Sequence, residues 1–287
     1  MENKINKSEL FSLCVILLYG SFASTKYALF MGRLALPLTA AALAFELAAL
    51  ILISALPAVR SPALGFALSL APLCALAVRV YDGARVLRAG EFSYIPFWIL
   101  AVSSLILCAF LASRKIPTSG RVATVVLIIA VIALVFLAAV YARDLDRTRL
   151  FGEYSNQSGA SRLILASLPE LWTIYLAKSF FACEESDRAA KPPLERPLSH
   201  KEKRRLYSKV TLLAFIFSAV LRLGVTAALS SLAGPRLYAL SQSPATFASR
   251  LLQGINLSPV ISGGVYMLTL LSFAFALSLL AQFSREM

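Results

Sequence analysis

Long uninterrupted apolar blocks recur through the chain, separated by shorter polar stretches. A bilayer core of about 30 Å takes roughly 20 apolar residues per helix, because backbone groups find no water to bond there. Blocks of that length fall at residues 9–31, 34–56, 63–83, 94–112, 122–142, 163–183, 210–232 and 259–283. They predict an all-α, polytopic bundle of eight transmembrane spans forming a single domain over 1–287. Pro57 with Pro62, Pro117 with Gly120, and Gly234-Pro235 punctuate the gaps as helix stops should. Arg79, Asp82 and Arg85 crowd the end of the third block. The polar start, Met1 to Glu9, is followed by no small-residue cleavage site, so the first block is expected to be a retained helix.

Composition agrees with this pattern. Hydrophobic residues make up 59% of the 287 and charged residues only 15%, whereas soluble domains are nearer a quarter charged. The net charge of +13 raises the question of nucleic acid. The cations are spread between the apolar blocks, where lysine and arginine set topology and meet anionic headgroups, so membrane lipid is expected and nucleic acid is not. With the N-terminus in the cytoplasm, the inner segments hold the larger share of lysine and arginine, mainly through the loop 184–209. That loop carries Pro192, Pro193 and Pro197 among mixed charges and reads as a flexible cytoplasmic linker. An even number of spans then puts both termini inside. Between Arg236 and Asn256, the residues Phe247, Leu251, Leu252 and Ile255 recur at near-helical spacing and predict a short helix on the outer surface.

Candidate chemistry is sparse. Cys14, Cys74, Cys108 and Cys183 are single residues in apolar blocks and read as small buried hydrophobes. His200 is the only histidine, so no two-histidine zinc site, and no metal or cofactor, is expected. No acid cluster or nucleophile–base spacing appears, which speaks against an enzyme. Two places interrupt the apolar pattern. In span one, Gly20 follows Tyr19 and precedes Ser21 near mid-bilayer depth. A glycine beside small hydroxyl residues can let a helix unwind toward a ligand, or it can seat a close helix–helix contact. In span six, Pro169 should kink or break the helix, and Glu170 follows it at once. Glu46 and Arg222 lie near the centres of spans two and seven. Their comparable depth suggests a buried ion pair, with Glu46 or Glu170 as the partner of Arg222, or else a direct ligand role. Lys178 is near enough to the inner end of span six to snorkel.

The order of these landmarks resembles the spore germination permease family, the B subunits of nutrient germinant receptors. The stretch KSELFSLCVILLYGSFAS is similar to that family's first helix. The run from Arg79 through Ile95-Pro96 to SRKIPTSGR is similar to its third helix, the start of its fourth and the following inner loop. YARDLDRTRLF resembles its outer loop after the fifth helix, LPELW its sixth-helix glutamate, and LAGPRLYALSQSPATFASRLLQGIN the stretch after its seventh. The resemblance implies the amino acid–polyamine–organocation transporter architecture, two inverted five-helix repeats with helices 1 and 6 broken. It also implies a small, amino-acid-like nutrient as ligand, other germinant-receptor subunits as partners, and the inner spore membrane as location. On that reading Gly20 and Ser21 offer backbone donors, Arg79 and Glu170 are polar partners, and Tyr266, beside Ser262-Gly263-Gly264, lines the site. The chain departs from the family in a very short loop between spans two and three, and in having room for eight helices rather than ten. A second repeat of three helices favours sensing over transport. An amino-acid or ion-coupled permease, and a ligand-free structural subunit of a membrane complex, stand as alternatives.

Overall fold

The structure, a computed structural model, describes residues 5–24, 35–89, 93–114, 116–141, 159–181, 200–232 and 258–287. Among these residues the chain forms eight α-helices, one on each predicted block: α1 (Lys7–Ser24), α2 (Ala35–Ala55), α3 (Pro62–Ala89), α4 (Phe97–Ser113), α5 (Ile116–Tyr141), α6 (Gly159–Ala177), α7 (His200–Leu232) and α8 (Ser258–Glu286). A 3₁₀ turn, Lys178–Phe180, closes α6. Five of the helices, α2, α3, α5, α7 and α8, are long and apolar enough to cross a membrane. The protein is thus all-helical among its described residues, with a membrane-spanning composition.

Direction reverses from each helix to the next, as contacts at the two ends of the bundle show. At one end Ile5, ahead of α1, donates its N–H to the Phe180 carbonyl at 3.0 Å. Glu9 in the first turn of α1 meets Arg121 near the start of α5 at 3.3 Å. Lys178 and Arg204 bond to the last carbonyls of α2, and Phe180 packs edge-on against Phe283 at the end of α8. At the other end Gly83, late in α3, lies against Tyr266, early in α8. The start of α1 and the end of α8 therefore share one face of the bundle.

Burial separates a core from a periphery. Leu13 to Leu18 in α1 are each at most 2% exposed, enclosed by α5, α6, α7 and α8. In α8, 67% of the spanning window is buried, against 17% in α5. The outer face of α5 presents Val125, Ile128, Ile129, Ile132 and Phe136, a surface suited to lipid. Two glycines allow the tightest approaches. A Cβ on Gly65 would collide with the Phe283 ring, and one on Gly120 would sit 2.6 Å from Glu9 Cβ. Beside Gly120, Thr124 donates to Ser12 at 3.0 Å and extends the α1–α5 seam.

Several expectations are corrected here. Helices 1 and 6 are not broken: α1 runs unbroken through Gly20, and α6 runs unbroken through Pro169. Single glycines and prolines are tolerated in membrane helices where neighbours re-satisfy the backbone. The linker ends sooner than 209, because α7 begins at His200. The ten residues from His200 to Lys209 contain no proline or glycine and several strong helix formers, and they place Tyr207 inward, where its hydroxyl donates to the Ile174 carbonyl. The third helix extends past Arg79, Asp82 and Arg85 to Ala89. The predicted surface helix at 236–256, and the linker before His200, lie outside the described residues.

Candidate functional site

Glu46 is the only ionisable residue of α2, an otherwise apolar helix with Glu46 on the face toward α7. It is 0% exposed, and Arg222 of α7 is 3% exposed. Arg222 Nη1 donates to Glu46 Oε2 at 2.5 Å. One helix away, Glu170 of α6 is 1% exposed and forms an ion pair with Arg79 of α3. Taking either charge alone into a low-dielectric interior is costly, so each glutamate holds its arginine in place.

The two pairs form one cluster. The Arg222 guanidinium carbon lies 5.5 Å from the centroid of the Phe22 ring on α1. The α2–α7, α2–α6, α3–α6 and α1–α7 contacts hold these elements side by side. Two carboxylates and two guanidiniums thus lie on the adjoining helices α2, α3, α6 and α7, beside α1, with a net formal charge of zero.

The cluster is not fully satisfied. One oxygen of each glutamate, Glu46 Oε1 and Glu170 Oε2, is buried with no hydrogen-bond partner among the described residues. The same holds for the hydroxyls of Thr39 on α2 and of Ser218 and Thr226 on α7. Ser218, Arg222 and Thr226 recur every four residues, so they form one stripe along α7. Thr39 and Glu46, seven apart, form the matching stripe on α2. Buried polar atoms are nearly always bonded, so such a group of carboxylate oxygens and hydroxyls, the latter able to donate or accept, points to a polar occupant. Chemically the carboxylate oxygens of the cluster can accept from cationic and hydroxyl donors. Among the described residues no three or more histidine, cysteine, aspartate or glutamate side chains come together as a metal site would require.

The expected site residues divide. Arg79 and Glu170 come together, but as partners of each other. Of the two candidate partners for Arg222, Glu46 is the one it meets. Gly20 faces away from the cluster, toward α8, where a Cβ would find Leu268 and Ser272 at 3.6 Å. There it lies at ordinary van der Waals distance from α8, a helix–helix contact of the kind its sequence also allowed. Ser21 lies in the same helix, and its side chain is outside the described set. Tyr266 belongs to another seam: its hydroxyl bonds Ser104 of α4 at 2.5 Å, and its ring lies under Gly83. Lys178 does not snorkel freely but donates to the Ser54 and Leu56 carbonyls at 2.9 and 2.6 Å, capping α2. Tyr19, Phe22, Thr39, Ser218 and Thr226 were not foreseen. The four-residue spacing along α7 was the available signal for two of them.

No family model matches the chain, and no curated protein matches it.

Proposed function

We propose that the chain is a permease-like membrane subunit, of the kind its sequence resembles in spore germination, that binds a small amino-acid-like nutrient and signals to partner subunits. The observation that carries this reading is the buried cluster of two ion pairs with one oxygen of each carboxylate lacking a donor. An ammonium group supplies several N–H donors and competes with arginine for a carboxylate. A ligand that takes up Glu46 Oε1 or Glu170 Oε2 would favour one arrangement of α2, α3, α6 and α7 over another. Such differential affinity for two states is all that sensing needs. The gripping surface in this proposal is the ion-pair cluster, and unwound backbone plays no part. All eight helices would cross the inner spore membrane, five in a first repeat and three in an inverted second, with both termini in the cytoplasm. Between α1 and α6 the reversal of direction is the one such a repeat needs.

The test is a thermal-shift panel of amino acids on purified protein, repeated with Thr39→Val and with Ser218→Ala. A ligand at 100 times its dissociation constant stabilises by about 2.7 kcal/mol, a readily measured shift. The wild type should respond to at least one amino acid, and the two variants should keep their unliganded stability while losing most of the response. A panel without any shift would remove the proposal. Uptake of the ligand into proteoliposomes would make the chain a permease instead.

A ligand-free structural subunit is the second reading. It is favoured by the Gly20 contact with α8 and by the Ser104–Tyr266 bond, which engage expected site residues in holding helices together. Co-purification with partner subunits, unchanged by any ligand, is its expected signature.

A further inference from the structure

We propose that the recess where α3 ends and α4 begins is a binding site for the phosphoryl group of an anionic membrane lipid. The recess measures about 540 Å³ and is lined by Tyr81, Arg85, Arg88, Ser93 and Phe97. Arg85 and Arg88 are three residues apart and share a helix face. The Arg85 guanidinium carbon lies 5.8 Å from the centroid of the Tyr81 ring, and Tyr81 meets Phe97 edge-on at 5.1 Å. An aromatic wall therefore steadies one guanidinium, while the second and the Ser93 hydroxyl complete a donor set. Among the described residues that line the recess none is a carboxylate.

Its position specifies the source of the anion. The 28 residues of α3 extend about 42 Å at 1.5 Å per residue, more than the roughly 30 Å of a hydrocarbon core. The final turns therefore reach headgroup depth. Tyr94 and Trp98 stand exposed beside the recess, as interfacial aromatics do. Arginine forks fit phosphate oxygens bidentately, and phosphodiesters are the anions concentrated at that level. The site is separate from the buried ion pairs and does not depend on the proposed function.

Native mass spectrometry of the detergent-solubilised protein, titrated with phosphatidylglycerol and with phosphatidylcholine, tests this. The wild type should retain phosphatidylglycerol preferentially, and Arg85→Gln with Arg88→Gln should weaken that retention roughly thirtyfold, at about 1 kcal/mol per basic residue. Helical content and melting should be unchanged, since both side chains are exposed. Lys203→Gln with Arg205→Gln, exposed cations on α7 at the opposite end, should leave retention at the wild-type level. Equal retention of the two lipids, no effect of the arginine pair, or an equal loss in the α7 control would overturn the proposal. Displacement of the lipid by inorganic phosphate would assign the site to a soluble anion and overturn the lipid source.

Discussion

At the scale of single residues the interior of the bundle is decided by charges and carbonyls that must be matched. Arg222 without Glu46 would be a bare cation among apolar helices. Removing one member of a buried pair costs about 3–5 kcal/mol, whereas replacing both with apolar groups of similar size is often neutral. Glu46→Leu or Arg222→Met alone should therefore lower stability by that amount in a denaturation experiment. The double variant should recover most of it yet fail to respond to any amino acid that stabilises the wild type. The same matching governs Pro72, which lies inside α3 and leaves the carbonyl four residues earlier without its helical donor. That carbonyl belongs to Leu68, and Trp172 of α6 donates its indole N–H to it at 3.0 Å. Trp172→Phe should cost about 1–3 kcal/mol by orphaning the carbonyl. In a Pro72→Ala background, where residue 72 regains its N–H, most of that cost should vanish. If Trp172→Phe is equally damaging in both backgrounds, the indole acts by volume and not by its hydrogen bond.

At the scale of elements, what decided legibility was whether the bilayer or a neighbouring helix set the constraint. The apolar blocks had to be helices, and each one is. Pro57 and Pro62 bracket the turn between α2 and α3 as their chemistry requires, with Ser61 accepting the Leu64 N–H at the start of α3. Depth made Glu46 one of two candidate partners for Arg222, and the α2–α7 contact selects it. Depth left Glu170 equally free to meet Arg222, and only the α3–α6 contact gives it Arg79. Gly20 and Pro169 misled for the same reason. Each is compatible with a broken helix or a continuous one, and the neighbours decide. The polar start of α7 lacks the apolar signature of a span and so resembles a linker, although its residues favour helix. Gly120 shows what a sequence withholds about seams, since nothing near it announces that Glu9 will lie against it. Gly120→Val should separate α1 from α5, with overpacking costs of about 1–3 kcal/mol or more. Disulfide trapping between Ser12→Cys and Thr124→Cys reads this out directly. The cross-link should form readily in the parent and poorly in the Gly120→Val variant.

At the scale of the whole molecule, the argument turns on parity. Ile5 against Phe180, Glu9 against Arg121, Gly65 against Phe283, and Lys178 with Arg204 on the end of α2 all gather at one end of the bundle. That end therefore collects the starts of α1, α3, α5 and α7 and the ends of α2, α6 and α8. Ser104 and Cys108 of α4 meet Tyr266 and Leu270 of α8 in the same order, so α4 runs parallel to α8 and ends there too. If all eight helices cross, as proposed, this alternation presents opposite ends of the bundle to the two compartments, and the proposed topology puts the N-terminal end in the cytoplasm. Ser8, Arg114 and Glu202 must then face one compartment and Tyr94 the other. In a background with all four cysteines replaced, Ser8→Cys, Arg114→Cys and Glu202→Cys should react with a membrane-impermeant thiol reagent only after the cytoplasmic face is opened. Tyr94→Cys should react in intact cells. Labelling of Arg114→Cys and Tyr94→Cys from the same side would mean that α4, at 17 residues the shortest of the eight, does not cross. The chain would then divide around α4, α5 could not keep the direction that brings Arg121 to Glu9, and a first repeat of five spans would be ruled out along with the permease-like architecture.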